Sequence, residues 1–61
     1  SPDMKYAIYA NGTLVHVCSK YADTCEATNW AIENGYRTRC EEISESGTRV
    51  IFDAMNGNKE S

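Results

Sequence analysis

The stretch MKYAIYANGTLVHVC, residues 4–18, decides the fold, because two β-prone runs flank a single Asn-Gly pair. An Asn-Gly pair between such runs is the strongest short-range signal of a β-hairpin, since a type I′ turn needs positive φ at both central residues. Asn11-Gly12-Thr13 also matches the acceptor pattern for N-glycosylation. The turn explains the same residues without requiring secretion, so the sequence favours a hairpin.

The two-residue turn also predicts which residues of this hairpin lie opposite each other. It pairs Ile8 with Val15 and Tyr6 with Val17, and opposed residues share one face of a sheet. These side chains are therefore expected to point toward the core. The other face of the hairpin is expected to carry Lys5, Ala7, Tyr9, Leu14, His16 and Cys18.

A helix is predicted after the first hairpin. Asp23 and Glu26 have the spacing of a capping box, with Asp23 as the N-cap, and Ser19 is an alternative start. Asn34-Gly35 supplies the left-handed residue that commonly ends a helix. Apolar residues recur with helical spacing at Ala27, Trp30 and Ala31. We expect a helix of roughly 12–15 residues that packs on the sheet with Trp30 at the edge of the core.

Two further strands are predicted over residues 36–43 and 48–55. A three-residue loop with Gly47 in the left-handed region would pair Cys40 with Phe52 and Arg39 with Asp53. That register places on the core side Thr38, Cys40, Val50, Phe52 and Ala54. The predicted fold is therefore α+β, with the order ββαββ, a four-stranded antiparallel sheet and one helix packed on one face.

Length and composition predict one globular domain, because 61 residues with 41% hydrophobic and 25% charged residues are too few for a second core. The domain is expected over residues 4–55, after disordered residues or a tag remnant at 1–3 and before a flexible polar tail at 56–61. A core this small is near the limit of stability, so a monomer and a dimer are both retained. No apolar run reaches the ~18 residues of a membrane span, and no membrane partner is expected.

Three cysteines at irregular spacing favour reduced thiols in the cytoplasm over a secreted disulfide framework. The thiols of Cys18, Cys25 and Cys40 with His16 have a zinc-like composition but lack close C-x₂₋₄-C pairs. His16 and Cys18 are predicted on the face opposite the helix, away from the other two thiols. We therefore expect no metal, no cofactor and no catalytic residues, since a His16–Cys18 pair also lacks an orienting third group.

The face opposite the helix is predicted to combine basic and apolar side chains. It is expected to hold four of the six Lys and Arg residues and only two of the nine acids. Exposed apolar, aromatic and Arg residues are typical of protein interfaces. The residues predicted to bind a partner are Lys5, Tyr9, Leu14, His16, Arg37, Arg39, Arg49 and Ile51.

This surface indicates a small non-enzymatic protein-binding regulator or inhibitor, whose partner is another protein or a second copy in a homodimer. The alternative is a single-stranded nucleic-acid-binding module, with Tyr9 stacking on bases and arginines contacting phosphates. A third interpretation is an ordinary solvated sheet face. The pI of about 4.9 and the lack of an aromatic-x-aromatic run favour the protein partner over nucleic acid.

Overall fold

The structure, a computed structural model, describes residues 4–54. Its elements are β1 (Lys5–Ala10), β2 (Thr13–Cys18), α1 (Tyr21–Glu33), β3 (Thr38–Ser44) and β4 (Gly47–Asp53). The strands form one open antiparallel sheet in the order β2-β1-β3-β4, and α1 packs on one face. The predicted α+β fold with ββαββ order is confirmed. The expectations for residues 1–3 and 55–61 lie outside the described residues.

The first hairpin has the predicted turn but a different register. Asn11 has φ 55° and Gly12 has φ 85°, as a type I′ turn requires. A β-bulge then inserts one extra residue, Val15, into β2, so that Ile8 pairs with His16. The bulge shifts every later residue of β2 by one place, which turns its side chain to the opposite face of the sheet.

The register shift reverses the predicted orientation of the end of β2. Cys18 pairs with Tyr6 and is 5% exposed in the core, whereas Val17 pairs with Ala7 on the other face and is 54% exposed. The predicted pairing of Tyr6 with Val17 was therefore wrong. The shift exchanges a valine for a cysteine in the core, and no glycine in β2 marks the position of the bulge.

The second hairpin closes with a shorter turn than predicted. Ser44 pairs with Gly47, which leaves a two-residue turn, and the Ser46 N–H donates to Ser44 Oγ at 3.3 Å. A serine hydroxyl that bonds the backbone two residues on favours such a tight turn. The predicted three-residue loop was wrong, and the first pairs of the hairpin shift by one residue.

A second β-bulge, at Ile51, restores the predicted pairing farther along this hairpin. Cys40 pairs with Phe52 and Arg39 with Asp53, as predicted. Before the bulge, Val50 lies opposite Glu41, so its predicted place on the core side was wrong. The bulge in β2 and the two-residue turn before β4 have therefore changed which side chains each face presents.

Helix α1 begins between the two predicted starts, Ser19 and Asp23, and ends where predicted. Its N-cap is Lys20, which makes no side-chain capping hydrogen bond, and Asp23 lies within the first turn, so the predicted capping box was wrong. At the other end Gly35 has φ 83°, and the Tyr36 N–H donates to the Ala31 carbonyl at 3.0 Å. This backbone pattern is a Schellman motif, in which glycine relieves the strain of the left-handed residue.

The core between the sheet and α1 is small. Ile8 is 1% exposed and Cys40 is 2% exposed, and they form one cluster with Tyr6 and Cys18. Ala31 of the helix, 1% exposed, packs over this layer. The bulkiest side chain among those below 2% exposure is Ile8, so much of the chain's apolar surface stays outside the core.

Candidate functional site

The sheet face turned away from α1, here called the outer face, is built by alternate residues of all four strands. Direct pairing fixes its membership, because residues opposite each other share a face. It carries Lys5, Ala7, Tyr9, Leu14, Val17, Arg39, Glu41, Ile43, Thr48, Val50 and Asp53. No helix or strand of residues 4–54 covers this face.

The outer face exposes four aliphatic side chains. Leu14 is 49% exposed and Val17 is 54% exposed on β2, while Ile43 is 37% exposed on β3 and Val50 is 42% exposed on β4. Between them lies Ala7, which is only 2% exposed because the pairs on its two sides cover its single methyl group. The result is a low centre bordered by larger apolar side chains.

An ion-pair cluster lies beside these apolar residues. Arg39 Nη2 and Nε each lie 2.9 Å from Glu41 Oε2, and Arg39 Nη1 lies 3.6 Å from Asp53 Oδ2. The side chains of Arg39 and Glu41 are 37% and 16% exposed. Partly exposed pairs of this kind contribute roughly 0.2–1 kcal/mol to stability. Their main effect is to fix the guanidinium and to neutralise its charge.

Four of the residues predicted to bind a partner lie on the outer face: Lys5, Tyr9, Leu14 and Arg39. Tyr9 lies opposite both Leu14 and Arg39, and it is half-buried. Lys5 lies at the other end of β1, where its Nζ donates to Ser19 Oγ at 3.3 Å. Arg37 precedes β3, and its backbone N–H donates to Asn11 Oδ1 at 3.0 Å.

The structure places His16, Arg49 and Ile51 on the side of α1, so their predicted place on the outer face was wrong. His16 pairs with the buried Ile8 because of the bulge in β2. Arg49 pairs with Glu42, and the two side chains form an ion pair at 3.0 Å. Ile51 lies in the second bulge and packs against the core cluster.

The sequence reasoning missed the residues that replace them. Val17 and Val50 were predicted to face the core; the bulge in β2 turns Val17 outward, and the two-residue turn between Ser44 and Gly47 turns Val50 outward. Ile43 was expected on the outer face but was not counted among the partner-binding residues. Alternation alone could not identify the valines, because it assigns a residue's face only when the length of the turn and the position of any bulge are known.

The thiols offer no nucleophile to this face. Cys18 and Cys40 are buried in the core, and Cys25 is exposed on α1. Burial raises the pKa of the Cys40 thiol, and the nearby Cys18 adds to the rise. A raised pKa keeps the thiol protonated and unreactive at neutral pH. Among residues 4–54, no three His, Cys, Asp or Glu side chains are grouped as metal ligands.

Comparison of the chain with protein-family models, curated proteins and solved structures gives no match in any of the three. Within residues 4–54, the one helix has 13 residues, and it is too short and too polar to cross a bilayer.

Proposed function

We propose that this chain is a small non-enzymatic protein-binding regulator or inhibitor that contacts its partner through the outer face. The partner is another protein or a second copy of the chain in a homodimer. The observation that carries the proposal is the group of exposed aliphatic side chains on a sheet face that no described element covers: Leu14, Val17, Ile43 and Val50.

Burial of these side chains supplies the driving force for association. Each Å² of apolar surface that is removed from water makes the free energy of association more favourable by about 25 cal/mol. A flat sheet face also packs against another sheet or a helix with few voids, at a spacing of about 10 Å for two sheets. When one face of an antiparallel sheet is in solvent, polar residues normally occupy that face. The aliphatic residues on both edge strands depart from that pattern and favour a covered face.

The charges of the outer face favour a partner without strong net charge. Lys5 and Arg39 balance Glu41 and Asp53, although the chain as a whole has a net charge of -3. The ion-pair cluster also presents fixed polar atoms, beside the apolar side chains, that can hydrogen-bond across an interface. Arginine held in place by carboxylates loses less conformational entropy on binding than a mobile side chain.

The single-stranded nucleic-acid alternative has less support from the same geometry. Arg39 is bound by two carboxylates, and Arg49 pairs with Glu42 on the side of α1. Tyr9 is the outer face's one aromatic residue among the described strands, and it is half-buried. Nucleic-acid surfaces instead present free cations beside several stacking rings.

The cytoplasm is the compartment we assign to the protein. All three cysteines, Cys18, Cys25 and Cys40, are free. Free thiols persist in reducing compartments and are oxidised in secreted proteins. This assignment agrees with a regulator that meets its partner inside the cell.

Paired substitutions test the proposed contact surface. Val17→Arg with Val50→Arg places two charges on the outer face, and Ile32→Arg is the matched control because Ile32 is 45% exposed on α1. We expect the double variant to lose partner capture and self-association, while the control keeps both. Sedimentation equilibrium and affinity capture measure the two properties. Equal binding by the double variant and the wild-type chain would contradict the proposal.

A further inference from the structure

The sheet side that carries α1 is only partly covered by the helix. A helix with its side chains is about 10–12 Å wide, whereas the outermost strands of a four-stranded sheet lie about 14 Å apart before their side chains are counted. The helix contacts β1, β2 and β3, and between α1 and β2 a groove of about 580 Å³ remains, here called the β2–α1 groove. It lies on the opposite side of the sheet from the outer face.

The floor of the β2–α1 groove is apolar, and its side chains are buried. Ile8 of β1 and Ala31 of α1 line it, and each is 1% exposed. Ala27 lies one helical turn before Ala31 and also lines the groove. Because alanine ends at its methyl group, the helix lies close to β1 without filling the space beside β2.

Aromatic rings form one wall of the groove. Trp30 and Tyr36 lie with their ring centroids 5.8 Å apart and their planes at 43°. The Schellman motif fixes this pair, because it returns Tyr36 to the end of the helix through the hydrogen bond to Ala31. Trp30 stays 56% exposed, so a large part of its ring surface is free to stack against a ligand.

The bulge in β2 forms the opposite wall. It places both Val15 and His16 along the groove, whereas a regular strand would turn one of two successive residues away. Bulges commonly re-aim side chains beside binding sites. The groove thus has an aliphatic and an imidazole side chain facing the two aromatic rings.

Polar atoms at the rim have no partners within residues 4–54. The imidazole of His16, the indole N–H of Trp30 and the hydroxyl of Tyr36 make no hydrogen bond to another described group. Among residues 4–54, no Asp, Glu, Lys or Arg lines this groove; Lys20, Asp23 and Glu26 line the adjoining space on the far side of His16, Ala27 and Trp30. An ionised ligand would lose hydration there without meeting an opposite charge, which disfavours it strongly.

We propose that the β2–α1 groove is a binding site for a neutral, planar aromatic small molecule. The groove volume lies within the roughly 300–1,000 Å³ of small-molecule sites, which are mostly apolar with a few polar groups. The ligand's ring stacks beside Trp30 over the floor of Ile8 and Ala31. Its polar substituent hydrogen-bonds to His16 or Tyr36.

The groove on the other side of α1 is a poorer candidate. It has a volume of about 270 Å³, and hydroxyl and thiol groups from Thr28 and Cys25 interrupt its apolar lining. Ile32 lies in that second groove, which makes it a useful control position on the same helix.

Nuclear magnetic resonance titration of the full chain tests the proposal with 2-naphthol as the probe. We expect a dissociation constant below ~1 mM, in the range of a well-placed fragment of this size. The largest shifts are expected at Ile8, Ala31 and the Trp30 indole N–H. The charged analogues 2-naphthoate and 2-naphthylmethylammonium are expected to bind at least ~10-fold more weakly, because the groove offers no counter-charge.

Matched variants distinguish binding in this groove from nonspecific binding elsewhere on the surface. Trp30→Ala is expected to weaken 2-naphthol binding at least ~10-fold, and Ile32→Ala to change it less than ~2-fold. Val15→Lys, on the opposite wall, is also expected to weaken 2-naphthol binding. It tests the site independently if Trp30→Ala alters folding. Shifts spread over the outer face, or equal losses for Trp30→Ala and Ile32→Ala, would overturn the proposal. The absence of binding at the solubility limit would also overturn it and leave the groove to a side chain of a partner protein.

Discussion

Matched serine substitutions at Cys18 and Val17 test the register of β2, on which the outer face depends. Cys18 is 5% exposed and belongs to the core cluster with Tyr6, Ile8 and Cys40, whereas Val17 is 54% exposed. Serine at position 18 would bury a hydroxyl among apolar groups, at a cost of about 1–3 kcal/mol. Serine at the exposed position 17 should change the free energy of unfolding by about 0.5 kcal/mol.

Thermal denaturation followed by circular dichroism distinguishes the two variants. In a domain of this size, 1 kcal/mol shifts Tm by about 4–8 °C, so Cys18→Ser should lower Tm by roughly 4–24 °C and Val17→Ser by only a few degrees. Measurements over a range of low protein concentrations exclude a contribution from self-association. A larger Tm loss for Val17→Ser than for Cys18→Ser would refute the bulged register and restore the regular one.

Three further predictions concern pH, the helix end and the nucleic-acid alternative. Folding raises the pKa of the Cys40 thiol above its ordinary 9.0, so the thiol ionises first in the unfolded chain as the pH rises. The stabilisation by the neutral, buried thiol should therefore be fully present below pH 9 and decrease as the pH rises above it. Denaturant titrations should show that the free energy of unfolding of the wild type declines above pH 9 and that Cys40→Ala reduces this decline; equal declines in both proteins would contradict the prediction. Gly35→Ala should lower the free energy of unfolding by about 1–2 kcal/mol. The cause is the φ of +83° alone, because an added Cβ meets no atom within 4 Å. An unchanged midpoint in chemical denaturation would contradict this prediction. A fluorescent oligothymidine should show no anisotropy increase in low salt, and salt-sensitive binding would favour the nucleic-acid alternative.

The sequence predicted the features of the fold that depend on local backbone conformation. Asn11-Gly12 and Gly35 have the positive φ values that their turns require, and both positions were identified from residue type alone. The ββαββ order followed from the runs between these turns. Local chemistry was sufficient there because few residues other than glycine and asparagine adopt that conformation.

The faces of the edge strands could not be predicted in the same way. A bulge changes the local twist and shifts the register, and here neither bulged residue, Val15 or Ile51, is a glycine. Which register is stable depends on packing against α1, and in the observed register Cys18 rather than Val17 lies in the core cluster with Tyr6. This information is tertiary, so periodicity along a single strand does not contain it.

The same difference explains the outcome for the candidate site. Tyr9, Leu14 and Arg39 were predicted correctly on the outer face because they precede the bulges or lie on the regular strands β1 and β3. His16 and Arg49 belong to strand segments whose register differs from the prediction, and both lie on the side of α1. The outer face is therefore more apolar and less basic than the sequence predicted.

Site-specific photo-crosslinking in the host cell tests most directly whether the outer face meets a partner. A benzophenone amino acid replaces Val17 in one variant and Ile32, on the opposite side of the sheet, in the other. We expect covalent adducts, either a cross-linked dimer or a single partner protein, from position 17 and not from position 32. Adducts from position 32 with none from position 17 would contradict the proposed contact surface.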